Sequence, residues 1–165
     1  ASGELDAGLG KVPILEVGDQ TISQSKAIER FVAKKAGLAG SNDLEAAQID
    51  SIAEHVRDIK QAYQVPRKTE GDEAREEAMR VWFNETLPTT SQKLEKALPS
   101  CVADAAAPLT YAHVSLYSLY NGFFDNLGGA QEAIVDCPRL RAVCARVAEH
   151  PAVQKWEAAR PSTEF

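Results

Sequence analysis

Gly10–Ser25 is the stretch of this chain whose residue types and spacing suit a ligand. A hairpin within it would offer the backbone ladder of a sheet edge. Serine at the start of a helical pattern stands beside N–H groups with no partner inside the helix, a setting that favours an anion. A backbone ladder beside a concentration of unpaired N–H groups is the chemistry in prospect.

The elements that must position these residues are legible around them. Val12 to Val17 is a short apolar run rich in β-branched residues, Gly18-Asp19 is a turn pair, and Gln20 to Ser23 resumes extended alternation, which together predict a β-hairpin. Ala27, Ile28, Phe31, Val32 and Lys35-Ala36 then follow at the spacing of one helix face, with Gly37 as the natural stop. Leu38-Ala39-Gly40-Ser41-Asn42 reads as a linker of turn formers. Residues 1–10, with three glycines and no periodicity, read as a loop.

From Asp43 the pattern is helical to the end. Leu44, Ala47, Gln48, Ile49, Ile52, Val56, Ile59 and Tyr63 trace one stripe that Pro66 should stop. A second long helix is expected after Gly71, bent or interrupted at Pro88 and closed by Pro99. Residues 100–109 look like a loop. They lead into the most apolar helix, Tyr111 to Phe124, capped by Thr110 and expected at the centre of a bundle. Gly128-Gly129 should break the pattern before shorter helices around Ile134-Val135, Leu140-Val147 and Val153-Trp156.

Composition narrows the function. With 44% apolar residues, 18 basic against 24 acidic residues and a net charge of −6, the 165-residue chain has the balance of a globular protein and not of a nucleic-acid binder. No apolar run approaches the roughly 20 residues of a membrane span. Cys101, Cys137 and Cys144 are scattered and odd in number, which fits a reducing, cytoplasmic setting better than a disulfide framework. His55, His113 and His150 form no metal-ligand spacing.

Leu9-Gly10-Lys11-Val12-Pro13-Ile14-Leu15, Ser23-Gln24-Ser25-Lys26-Ala27-Ile28 and Phe31-Val32-Ala33 resemble the glutathione-site half of a glutathione transferase, most closely the sigma class. The likeness continues through Gly37-Leu38-Ala39-Gly40, the helix with Asp50 and Asp58, Leu109-Thr110-Tyr111-Ala112 and the closing Arg160-Pro161-Ser162-Thr163-Glu164-Phe165. It implies an α/β fold class: residues 1–37 as the C-terminal part of a thioredoxin-like domain, 38–42 as linker, and 43–165 as an all-helical domain. It also implies a cis Val12-Pro13 peptide and Val12 pairing its N–H and C=O with the cysteinyl backbone of glutathione; from the residues alone, a trans proline at a strand start is the ordinary reading. Gln24 and Ser25 would hold the γ-glutamyl end, a role compatible with Ser25 as helix cap. Asp58 would reach the γ-glutamyl ammonium in the partner subunit's site of a homodimer, or else lie solvated on its helix.

The resemblance has departures. Lys11 stands where the family commonly has Gln, and would reach the glycyl carboxylate or lie in solvent. His113 replaces the acidic fourth residue of a capping box, so His113→Asp is expected to add about 0.5–2 kcal/mol, more at acid pH. The family's β-α-β start of roughly 30 or more residues is not in these residues, which suggests part of a longer protein. The Tyr or Ser that activates the thiol is accordingly expected upstream of Ala1, and no catalytic residue is expected from Ala1 onward. Tyr63, Tyr111, Tyr117 and Tyr120 fall in the helical half and are not candidates for that role. Tyr63, Val81, Trp82 and Phe165 are the expected walls of a pocket for a hydrophobic electrophile. The implied activity is transfer of the glutathione thiolate to such a molecule, or glutathione-dependent isomerisation or peroxidation. A non-catalytic, crystallin-like member is the alternative, and an interaction domain built from 43–165 alone would leave the hairpin unexplained.

Overall fold

β1 (Ile14–Val17) and β2 (Gln20–Ser23) pair antiparallel as a two-stranded sheet in the register Ile14↔Ser23 to Val17↔Gln20. The turn between them relies on Gly18, whose φ of 62° suits a residue without Cβ. This computed structural model describes residue 6 and residues 8–161.

α1 (Ser25–Lys35) follows directly and ends as expected at Gly37, φ 72°. α2 (Asp43–Arg67) is capped by Asn42, whose side chain accepts from the Glu45 N–H at 3.0 Å, while the Glu45 carboxylate takes the Ser41 N–H at 2.8 Å. Its buried stripe is Ile49, Ile52, Ala53, Val56, Ile59 and Tyr63; Leu44, expected on it, is exposed. Pro66 does not stop α2 but occupies its last turn, where its missing N–H takes a donor from the Ala62 carbonyl alone.

α3 (Asp72–Val81) passes through a π turn, Trp82–Thr86, into α4 (Leu87–Ala97). The expected irregularity at Pro88 thus lies just before it, around Asn84, the carbonyl that a regular helix would press against the proline ring. Residues 100–109 are not all loop, since α5 (Ser100–Ala103) forms one turn. α6 (Tyr111–Ser118) gives way to a second π turn, Leu119–Phe123, so the expected single helix to Phe124 is divided. Gly128-Gly129 lie inside α7 (Leu127–Glu132). A Cβ on Gly129 would sit 3.0 Å from the Phe83 ring, so the glycine permits close packing and does not break the helix. Pro138 and Pro151 begin α8 (Pro138–Ala148) and α9 (Pro151–Ala159), where a missing N–H costs nothing.

α6 and the π turn after it are central as their composition predicts: Ala112, Leu116, Leu119 and Tyr120 are fully buried, and the Tyr120 hydroxyl meets Ser91 Oγ at 2.8 Å. One cap was not foreseen. The Glu95 carboxylate on α4 accepts the N–H groups of Arg139 and Leu140, both at 2.9 Å, at the start of α8. Glu95→Ala leaves both donors without it and is expected to cost about 2 kcal/mol in urea unfolding; a loss within 0.5 kcal/mol, roughly the scatter of neutral surface changes, counts against this role.

His113 completes the capping box as a neutral ring. Its Nδ1 accepts from the Thr110 N–H at 3.1 Å and lies 2.8 Å from Thr110 Oγ1, while Nε2 lies 3.3 Å from Arg146 Nη1. Burial, followed by the nearby Arg146 guanidinium, depresses its pKa to about 4. The buried setting alters the expectation for His113→Asp: the carboxylate keeps an acceptor for Thr110 but leaves space where a fully buried ring stood. The gain at neutral pH is therefore largely offset, and the acid side carries the effect.

Candidate functional site

The junction from β2 to α1 is the irregular point of the backbone near the predicted ligand residues. Gln24 has φ 71° and ψ 115°, a left-handed value that costs a residue with a Cβ of order 1 kcal/mol or more. It turns the chain from strand into helix and takes the cap position, and its side chain caps nothing. Ser25, expected as the cap, is instead the first helical residue. The first α1 hydrogen bond is Ile28 N–H to the Gln24 carbonyl at 3.0 Å, so the N–H groups of Ser25, Lys26 and Ala27 precede the ladder. Gln24 and Ser25 are both exposed.

Beside this junction, the Val12-Pro13 peptide is cis as the resemblance implies. The ladder begins at Ile14↔Ser23, which places Pro13 and Gln24 next along the two strands and leaves Val12 beyond the pairing, three-quarters exposed. Lys11 is exposed, its N–H turned back to the Gly8 carbonyl at 3.0 Å. Lys11, Val12, Pro13, Gln24 and Ser25 therefore share one end of the hairpin.

Asp58 is placed elsewhere. It is exposed on α2, with Arg57 Nη2 at 3.9 Å. It edges a groove of about 400 Å³ between α2 and the Trp82–Ala97 stretch, lined by Ile59, Ala62, Trp82 and Leu94 and by no residue of the hairpin or α1. Of the expected electrophile-pocket residues, Trp82 lines this groove, its Nε1–H buried without a partner among the described residues. Val81 is half-buried and does not line it. Phe165 lies outside the described residues, and so does Ala1, upstream of which the thiol-activating Tyr or Ser is expected.

Tyr63 is not a pocket wall. Only 1% exposed, it is the hub of an aromatic cluster with Trp82, Phe83, Phe123 and Phe124, because the α2 stripe turns it inward. Every tyrosine of the chain already has an oxygen partner: Tyr63 with Asp125 (3.5 Å), Tyr111 with Glu29, Tyr117 with Glu157 (2.5 Å) and Tyr120 with Ser91. Burial first, helped by the facing carboxylates, pushes the Tyr63 and Tyr117 phenols up to about 12; burial likewise raises Tyr111 and Tyr120. None of the four stands ready to stabilise a thiolate.

The sequence did not mark Glu29, Arg30 and Tyr111 as contacts between α1 and the helices that follow it. Arg30 Nε donates to Asp50 Oδ1 at 2.6 Å and its Nη2 to Glu54; Tyr111 donates its hydroxyl to Glu29 and its N–H to the Leu38 carbonyl at 2.8 Å. Their partners lie 20 or more residues away, and no local pattern announces such pairs. Among the described residues no group of three His, Cys, Asp or Glu is placed to hold a metal, and no helix is long and apolar enough to cross a membrane.

The chain thus joins a thioredoxin-like hairpin and helix to a helical bundle, with an open helix start beside the end of the hairpin. Residues 57–160 match the family described as the C-terminal domain of glutathione S-transferase, and the chain belongs to that family. Among its relatives, glutathione S-transferase S1 of Drosophila melanogaster is 28% identical over 157 residues, 94% of this chain and 62% of the relative. Hematopoietic prostaglandin D synthase of Gallus gallus is 31% identical over 159 residues, 93% of this chain and 75% of the relative. Among solved structures, a Pi-class glutathione S-transferase of Onchocerca volvulus superposes with a TM-score of 0.79 at 25% identity, covering 96% of this chain and 75% of that one. This chain thus spans about three-fifths to three-quarters of these relatives.

Proposed function

We propose that this chain supplies the glutathione-binding hairpin and the helical domain of a cytoplasmic, homodimeric glutathione transferase. The Gln24-Ser25 junction carries the reading: a left-handed residue without a glycine's freedom is kept where it presents an open helix start next to Val12. Val12 pairs with the cysteinyl backbone of glutathione, Gln24 and Ser25 hold the γ-glutamyl end, Lys11 meets the glycyl carboxylate, and Asp58 serves the partner subunit's site. Residues 1–37 then form the thioredoxin-like part, 38–42 the linker and 43–165 the helical domain.

The chemistry is attack of the glutathione thiolate on an electrophilic carbon: a sulfur–carbon bond forms, the leaving group departs with its electron pair, and the thiol proton goes to solvent. Such conjugation suits detoxification; glutathione-dependent isomerisation or peroxidation is the alternative chemistry of the same site, and the likeness to a prostaglandin D synthase supports the former. The hydrogen bond that lowers the thiol pKa is not supplied by Tyr63, Tyr111, Tyr117 or Tyr120, all of which are engaged.

Calorimetric titration of the chain with glutathione tests the site. Ser25→Ala removes a hydroxyl bond to a charged group, worth about 1.5–3 kcal/mol, and is expected to weaken binding roughly 10- to 100-fold. A folded wild-type chain that takes up no glutathione at millimolar concentration overturns the reading.

A further inference from the structure

α1 is fastened to the helical part by neighbouring side chains. Glu29 accepts from the Tyr111 hydroxyl on α6 and from Lys26 Nζ (2.7 Å) in the first turn of its own helix. Arg30 forks onto Asp50 and Glu54 of α2, which are four residues apart and so lie one above the other on the face toward α1. The network continues: the other oxygen of Glu54 takes Arg57 Nη2 at 2.8 Å, and Arg57 stands 3.9 Å from Asp58. Charges of alternating sign therefore run from α1 along α2 to Asp58.

We infer that Arg30 is a positioning residue for glutathione, setting the open start of α1 and the neighbourhood of Asp58 through this single ionic network. The inference rests on the reading of the site given above. Arg30 lies five residues beyond Ser25, about 7.5 Å along the helix axis, too far along to touch the γ-glutamyl end bound at the helix start, so it acts through the helix it anchors. Removing it frees α1 from α2 and leaves Asp50 and Glu54 without their shared cation. Arg57 is then drawn toward the two carboxylates and away from Asp58. Because the side chains of Arg30, Asp50 and Glu54 are 42%, 40% and 28% exposed, salt reaches the pairs and weakens them.

The experiment is calorimetric titration of the full chain with glutathione at low and high sodium chloride, for wild type, Arg30→Gln, Arg30→Lys and Ser25→Ala. Glutathione is itself charged, so the quantity of interest is the difference in salt dependence between variants. Arg30→Gln is expected to raise Kd about 3- to 10-fold at low salt and to respond less steeply to salt than wild type. Arg30→Lys, which keeps the charge without the fork, should fall between them, and Ser25→Ala should keep the wild-type slope over whatever range its binding is measurable. An Arg30→Gln chain with wild-type affinity, or with weakened affinity and an unchanged salt slope, overturns the inference while leaving the site intact. A wild-type chain that does not bind glutathione overturns the site itself. Should Arg30→Gln fail to fold, Asp50→Asn breaks one arm of the fork and is held to the same two outcomes.

Discussion

Phe124→Ala is expected to lower the unfolding free energy by about 3–5 kcal/mol, the range for deleting a well-packed aromatic core residue. Phe124 is 3% exposed and packs edge-on against Tyr63 with ring centroids 4.9 Å apart, and also meets Phe123 at 5.3 Å, Phe83 at 5.7 Å and Trp82 at 6.4 Å. It stands just past the Leu119–Phe123 π turn, where the backbone becomes extended. Truncation there empties the meeting point of α2 with both π turns, and such edge-on pairs contribute beyond area alone. Urea unfolding checks this, and a loss below 1 kcal/mol would mean that the cluster closes over the gap.

Acid should loosen the fold through His113. Above about pH 6.5 the imidazole is neutral in both states and its bonds are intact. As pH falls, the unfolded chain takes up the proton near 6.5 while the folded ring resists until about 4, so stability drains away across that window. The loss between pH 7 and 4.5 is about 2–3 kcal/mol for a displacement of this size. His113→Asp has no imidazole to protonate, so the stability difference between variant and wild type should shift in the variant's favour by that amount on acidification. Parallel pH profiles from urea unfolding of the two proteins would refute the assignment.

Local chemistry made much of the architecture legible. Gly18-Asp19 announced the hairpin, Gly37 and Asn42 bracketed the stretch between α1 and α2, and the nearly uniform apolarity of Tyr111–Phe124 placed α6 at the centre. The π turns were not legible, because a one-residue widening leaves helical periodicity almost unchanged over a single turn. Gly128-Gly129 misled for a related reason: glycine weakens a helix on propensity, but the approach of Phe83 needs a position without Cβ. Lys11, Val12, Pro13, Gln24 and Ser25 come together at one end of the hairpin because they flank its two strands in sequence. Tyr63 was misplaced since an aromatic on a helix stripe serves a pocket or a core equally well, and only the neighbouring rings decide. The Arg30 fork is closed by partners 20 and 24 residues away, a separation at which charge pattern carries no register.

The environment of Trp82 has a spectroscopic consequence. The chain has two tryptophans, and they stand in opposite surroundings: Trp82 is sealed in the aromatic cluster beside the Asp58 groove, while Trp156 on α9 is about two-thirds exposed. Intrinsic fluorescence is therefore a sum of an apolar, quencher-shielded emitter and a wet, quencher-accessible one. Trp156→Phe would leave a single optical reporter at the junction of core and groove, so that ligand occupancy and loss of packing are read from the same indole.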